Sequence, residues 1–174
     1  MQSQPDMEHI MNLTYPGLKL LFRDANLRRV AHKYEVGMLL RQRDELDASL
    51  LGGGLLDTHR FAILSHEFVD VTQIDSEAKW ARCVIAEESY FKVLDVYGKL
   101  GKTQITLLHL PQKYWQLFED ITTNVDELLI DYTRKRFDVC LNEAPLPELA
   151  DPEWRKRCCH LIGMTDLGQI TPLR

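Results

Sequence analysis

The chain has 174 residues, of which 45% are hydrophobic, 27% charged and 9% aromatic, values that fit one globular domain and exclude disordered, collagenous and disulfide-scaffold classes. With 21 basic against 26 acidic residues the net charge is −5, so no overall field favours nucleic acid or an anionic membrane. The longest apolar stretch, Leu50 to Leu56, contains three glycines and falls far short of the roughly 20 residues needed to span a bilayer.

Residues 1–14 are polar and aperiodic and read as a flexible N-terminal tail, with 15–174 as a single α+β domain. The opening residues carry neither a basic n-region nor an apolar h-region, which predicts a cytoplasmic compartment. Leu20, Leu27, Val30, Ala31, Tyr34 and Met38 fall on one face at 100° per residue, predicting an N-terminal amphipathic helix capped by Asp24 or Asn26. Residues 34–41 also alternate as a strand would, and Gly37 weakens a helix there, so helix and strand both stay open for that segment. Gly52-Gly53-Gly54 then reads as a flexible connector into the sheet.

Four runs rich in β-branched and aromatic residues follow: Arg60–Val71, Trp80–Ala86, Tyr90–Tyr97 and Thr103–Leu110. Turn residues separate them at Asp75-Ser76, Glu87–Ser89 and Gly98–Lys102. Short connections favour antiparallel neighbours, so the prediction is a four-stranded antiparallel β-meander. After Pro111, Tyr114, Phe118, Ile121, Val125, Leu128, Tyr132 and Val139 recur at helical steps, and Thr122-Thr123-Asn124 is expected to kink or restart this long C-terminal helix. Trp115, Phe118, Ile121, Val125 and Leu128 are the expected helix–sheet contacts. Asp151-Pro152-Glu153 starts a short final helix that Gly163 stops, and both helices are expected on one sheet face.

The chemistry is sparse. Gly101-Lys102-Thr103 resembles the end of a phosphate loop, but Val96 stands where that pattern needs glycine and the segment lies between strands. Asp70 with Glu77 and Lys79 has the order of a nuclease metal site, yet Glu77 and Lys79 lie in a polar stretch. Cys158-Cys159-His160 lacks the second spaced ligand pair that zinc requires, so the cysteines read as reduced and metal-free. His66, Asp95 and His109 interrupt apolar strands, where titratable groups mark either a pocket or a solvated face. Arg28, Arg29 and Lys33 form a basic face within a segment of local excess positive charge, with candidate anion contacts set against plain solvation.

No complete catalytic constellation emerges, so the leading expectation is a soluble cytosolic binding or protein-interaction domain without catalytic activity. The alternative is a small enzyme or ligand-binding domain with a pocket around His66, Asp95 and His109. No cofactor or metal is called for. The expected partner is a protein or small molecule, with nucleic acid disfavoured, no membrane, and a homodimer compatible with the pattern.

Overall fold

The computed structural model describes residues 16–74, 78–118 and 124–174. The expected tail over 1–14, the Asp75-Ser76 turn, Ile121 and the Thr122-Thr123 break lie outside the described residues. Among these residues eight strands, β1 Lys19–Ala25, β2 Leu39–Gln42, β3 Leu46–Ser49, β4 His59–Ser65, β5 Val69–Asp70, β6 Arg82–Ile85, β7 Ser89–Lys99 and β8 Lys102–Leu110, form one sheet. Its order is β2-β7-β8-β4-β1-β3-β6-β5. All pairs are antiparallel except β4 with β8, which run parallel. Among the described residues two α-helices follow, α1 Asn124–Cys140 and α2 Pro152–Arg157.

This corrects the four-stranded meander. Of the predicted strands only β7 and β8 pair as an extended hairpin with each other, while β4 and β6 take partners from the N-terminal third. It also corrects the N-terminal amphipathic helix. Lys19–Ala25 is a central strand paired with β4 along its whole length. Both of its faces are covered, so the alternation that betrays a half-exposed strand is missing. Five of the six apolar positions chosen for the helix share a destination: Leu27 and Tyr34, with Val30, Ala31 and Met38 beside them, pack into one core, whereas Leu20 packs against the cluster around Leu64 and Leu108. The five do so from a loop with a single 3-10 turn at Ala31–Lys33. Of the ambiguous segment 34–41, only the part from Leu39 onward is strand.

The sheet is folded over on itself, as chain length dictates. Residues 43–45 join β2 to β3, and residues 86–88 join β6 to β7, yet each link connects strands five places apart in the sheet. Flat, those strands would stand about 24 Å apart at ~4.8 Å per strand, and four peptide steps span at most ~14 Å. The wings β2-β7-β8 and β1-β3-β6 therefore face one another across a core of Leu21, Leu46, Phe61, Ile85, Phe91, Ile105 and neighbours. The outer face of β7, β8 and β4 carries a second core of Leu64, Leu94, Leu108, Trp115 and Leu129, where α1 packs. A third cluster joins Trp80, Leu149, Trp154 and Cys158, so α2 packs there and not beside α1 on one sheet face.

The glycine triplet is the reverse of a flexible connector. It links β3 to β4, all three residues are buried, and a Cβ on Gly54 would stand 2.2 Å from the Glu143 carbonyl oxygen. The Gly54 N–H donates to the Ala144 carbonyl at 3.0 Å, fastening this loop to the segment after α1. Among the described residues no helix is long and apolar enough to cross a membrane.

Candidate functional site

His66, Asp95 and His109 do not share a pocket. His109 lies on the inner face, stacked on Phe91 at 5.0 Å, with its Nδ1 2.8 Å from Ser65 Oγ. Burial, and then the neighbouring His66, lowers its pKa to about 4. Asp95 lies on the outer face because β7 shifts register between Val93 and Asp95, and a one-residue shift exchanges the two faces of a strand. There Arg134 of α1 grips it with two hydrogen bonds, Nε–Oδ2 at 2.8 Å and Nη2–Oδ1 at 2.7 Å. The sheet thus separates Asp95 from the two histidines. His66 is half-buried and faces Glu67, with Nε2 and Oε1 3.5 Å apart.

The basic candidates also divide. Lys33 donates to the Gly168 carbonyl at 2.6 Å, whereas Arg28 and Arg29 are exposed and line a cleft of about 510 Å³ with Asn26, Cys159, His160 and Asp166. A second cleft of about 510 Å³ continues past Asn26 and Cys159 to Asp57, Pro152, Arg155 and Lys156. Together they form one groove where β1 ends, between the loop after it and the segment 150–161. Asn26 and Cys159 line both clefts, with His160 on one side of the clustered wall and Cys158 on the other.

Local chemistry fixes that wall. Asp151 accepts the Glu153 N–H at 2.9 Å, and with Pro152 behind it starts the six-residue α2. Arg23, buried in β1, donates to the carbonyls of Asp47 at 3.0 Å and His160 at 2.7 Å, pinning the chain beyond α2 to the strand. Burial pushes the Cys158 thiol up to about 12, whereas Cys159 is exposed to the groove. His160 Nδ1 lies 3.0 Å from Asp166 Oδ1. Asp24, which lines the second cleft, is met from behind by the fully buried Arg60 through Nε–Oδ1 at 2.6 Å and Nη2–Oδ2 at 3.0 Å, and Arg60 donates to the Gly53 carbonyl at 2.8 Å.

Among the described residues no carboxylate forms an ion pair with Arg28, Arg29 or Lys156. The groove therefore holds three cations without a bound counter-charge, next to a thiol and a carboxylate-oriented imidazole. Among the described residues, no group of three or more His, Cys, Asp and Glu side chains is placed to hold a metal ion. Sequence reasoning found Arg28, Arg29 and the 158–160 cluster separately but missed Asn26, Asp24, Asp57, Arg60, Arg155 and Lys156. A charge inside an apolar run singled out Asp95, but Asp24 stands beside Arg23 and Arg60 follows Thr58-His59 at the start of its run, so neither carries that signal.

No protein-family model and no curated protein sequence matches the chain. Among solved structures it is similar to Plx2a, an ADP-ribosyltransferase toxin from Paenibacillus larvae, at 13% identity over 64% of this chain and 74% of that one, with a TM-score of 0.47. It is similar to Exoenzyme S from Pseudomonas aeruginosa, described in complex with human 14-3-3 protein beta and bound to carba-NAD, at 14% identity over 68% and 67% of the two chains, TM-score 0.46. The ADP-ribosyltransferase HopU1 of Pseudomonas syringae pv. Tomato DC3000 is 12% identical over 53% of this chain and 46% of its own, TM-score 0.46. The chain spans 44 to 50% of several such structures, about half their length. Two of these structures are named as ADP-ribosyltransferases, which are enzymes, whereas the sequence suggested a protein-interaction domain without catalytic activity; that expectation is not kept. The likeness concerns part of the fold, and no residue role or substrate is taken from it.

Proposed function

We propose that the chain is a small enzyme whose substrate carries a phosphate or similarly compact anion, bound in the groove over Asn26 and Cys159. The observation that supports this reading is the convergence of Arg28, Arg29 and Lys156 on a concave surface with no carboxylate paired to any of them among the described residues. Guanidinium groups suit this task because their forked donors match the oxygens of a phosphate. His160, held by Asp166, is the group assigned to proton transfer, since a carboxylate on one ring nitrogen orients the other toward a ligand. Lys33 and the His66–His109 pair stand outside this site.

Calorimetric titration with inorganic pyrophosphate, ADP and NAD tests the reading, NAD entering as a probe only. Binding is expected to weaken steeply with salt and to be lost in Arg28→Glu/Arg29→Glu with the fold retained. A wild-type protein that takes up none of these anions at low salt overturns the proposal. His160→Gln is expected to keep anion affinity while removing turnover of any substrate found.

A further inference from the structure

Cys159 stands at the junction of the two clefts and lines both, with Arg28 and Arg29 lining one of them and Lys156 the other. It is the only exposed cysteine, since Cys83, Cys140 and Cys158 are buried. The carboxylates along the groove are already engaged: Asp24 with Arg60, Asp57 with Arg155 and Asp166 with His160. An independent feature lies behind the wall. Arg23 is only 3% exposed, and its guanidinium reaches the carbonyl of His160, one residue past the thiol. Its hydrogen bonds go to backbone carbonyls, its Nε has no partner, and the Asp47 carboxylate is gripped by Arg82 at 2.6 Å. The charge of Arg23 faces the sulfurs of Cys158 and Cys159. Burying a cation without an ion-paired carboxylate is costly, and a cation so placed behind the thiol favours an anion brought to it from outside.

We propose that Cys159 is a redox modification site that takes up a small acidic thiol peptide of the glutathione type as a mixed disulfide, closing the groove. The inference adds regulation to the anionic-groove reading and rests on it for the free cations. Charge selects the partner. In glutathione a carboxylate stands on each side of the cysteine, and in the groove cations stand on each side of Cys159. Such a field raises the local concentration of an acidic disulfide, leaves a neutral one unaffected and repels a cationic one. In the exchange Cys159, as thiolate, attacks one sulfur of oxidised glutathione. The new S–S bond forms as the old one breaks, and the departing glutathione thiolate takes up the proton that Cys159 gave up. No other oxidant is consumed, and excess free thiol reverses the step. The three buried cysteines are shielded from the same attack. The adduct fills the junction between the clefts, so a bound anion and the modification exclude each other.

Mass spectrometry of the folded protein incubated with oxidised glutathione, neutral hydroxyethyl disulfide or cationic cystamine tests this, each rate being divided by that of free N-acetylcysteine with the same reagent. Glutathione is expected to modify Cys159 alone, with a normalised rate at least about tenfold above that of hydroxyethyl disulfide at low salt, cystamine being slowest. High salt is expected to erase the preference. Arg28→Gln/Arg29→Gln and Lys156→Gln are each expected to lower the glutathione rate several-fold while leaving the hydroxyethyl disulfide rate unchanged, and Cys159→Ser to abolish the adduct. Equal normalised rates for the three reagents, or an adduct spread over the other cysteines, overturns the inference. Pyrophosphate titration of the unmodified protein separates the two readings. Pyrophosphate binding without a glutathione preference overturns the modification site alone, whereas a preference without pyrophosphate binding upholds the site and overturns the anionic-substrate reading.

Discussion

His109 illustrates how a buried side chain sets the response of the fold to acid. Its pKa is lowered from the usual 6.5 to about 4, by burial first and then by the charge of His66. The unfolded chain therefore binds more protons than the folded one between these two values, and stability falls as the pH drops from about 6.5 toward 4. Between pH 7 and pH 5 this single group is expected to remove about 2 kcal/mol. His59, lowered by burial and then by Arg28, acts in the same direction. Urea denaturation of the wild type and His109→Gln at both pH values checks this: the variant is expected to lose most of the difference. That His109 and Asp95 are unusual was legible, since each breaks an apolar run. That they lie on opposite faces was not, because the parity of a strand is reset by a bulge that no residue around Leu94 announces.

At the scale of elements, helical periodicity located the later part of the long helix, Asn124–Cys140, but the stretch expected to be helical after Pro111 holds only turns and a 3-10 turn at Trp115–Phe118, and the inward face of the helix was read less well. Leu128 and Leu129 are neighbours about 100° apart on the helix, and the expected contact, Leu128, is 38% exposed while Leu129 is fully buried. Trp115 does lie in the core beneath the helix. Leu129→Ala is accordingly expected to cost about 2–5 kcal/mol and Leu128→Ala less than about 1 kcal/mol, read from thermal or urea unfolding. The turn between β7 and β8 carries strain of a different kind. Leu100 and Gly101 both have positive φ, 52° and 73°, as a tight two-residue hairpin turn requires. Leucine is poorly suited there and its side chain is 79% exposed, so nothing it packs against compensates. Leu100→Asn is expected to stabilise the protein by about 0.5–1 kcal/mol, seen as a higher urea midpoint with an unchanged slope. Strand β1 escaped sequence reasoning for a related physical reason: it is covered on both sides, and a doubly buried strand of mixed apolar and charged residues has neither the period of a helix nor that of a half-exposed strand.

The whole molecule depends on a few tight passages. Two three-residue crossovers hold the folded-over sheet closed, and the Glu88 N–H joins them by donating to the Arg43 carbonyl at 3.1 Å. The glycine loop fastens the opposite region to the residues after α1, and there a Cβ at position 54 has no room. Gly54→Ala is expected to cost about 1–3 kcal/mol or more, whereas Gly98→Ala, whose Cβ would meet its nearest neighbour at 3.8 Å, is expected to change stability by less than about 0.5 kcal/mol. Calorimetric melting of both variants makes the comparison. The parallel pairing of β4 with β8 also sets a timetable for synthesis. β1 and β4 can zip together once residue 65 has left the ribosome, but the other edge of β4 waits for Thr103–Leu108. At roughly 5–20 residues per second the intervening chain takes on the order of 2–9 s to appear. During that interval a seven-residue strand, buried along its whole length in the finished protein, presents an open edge to every other nascent chain nearby. Translation speed across residues 66–102, and the chaperones that meet the chain there, thereby govern the yield of folded protein.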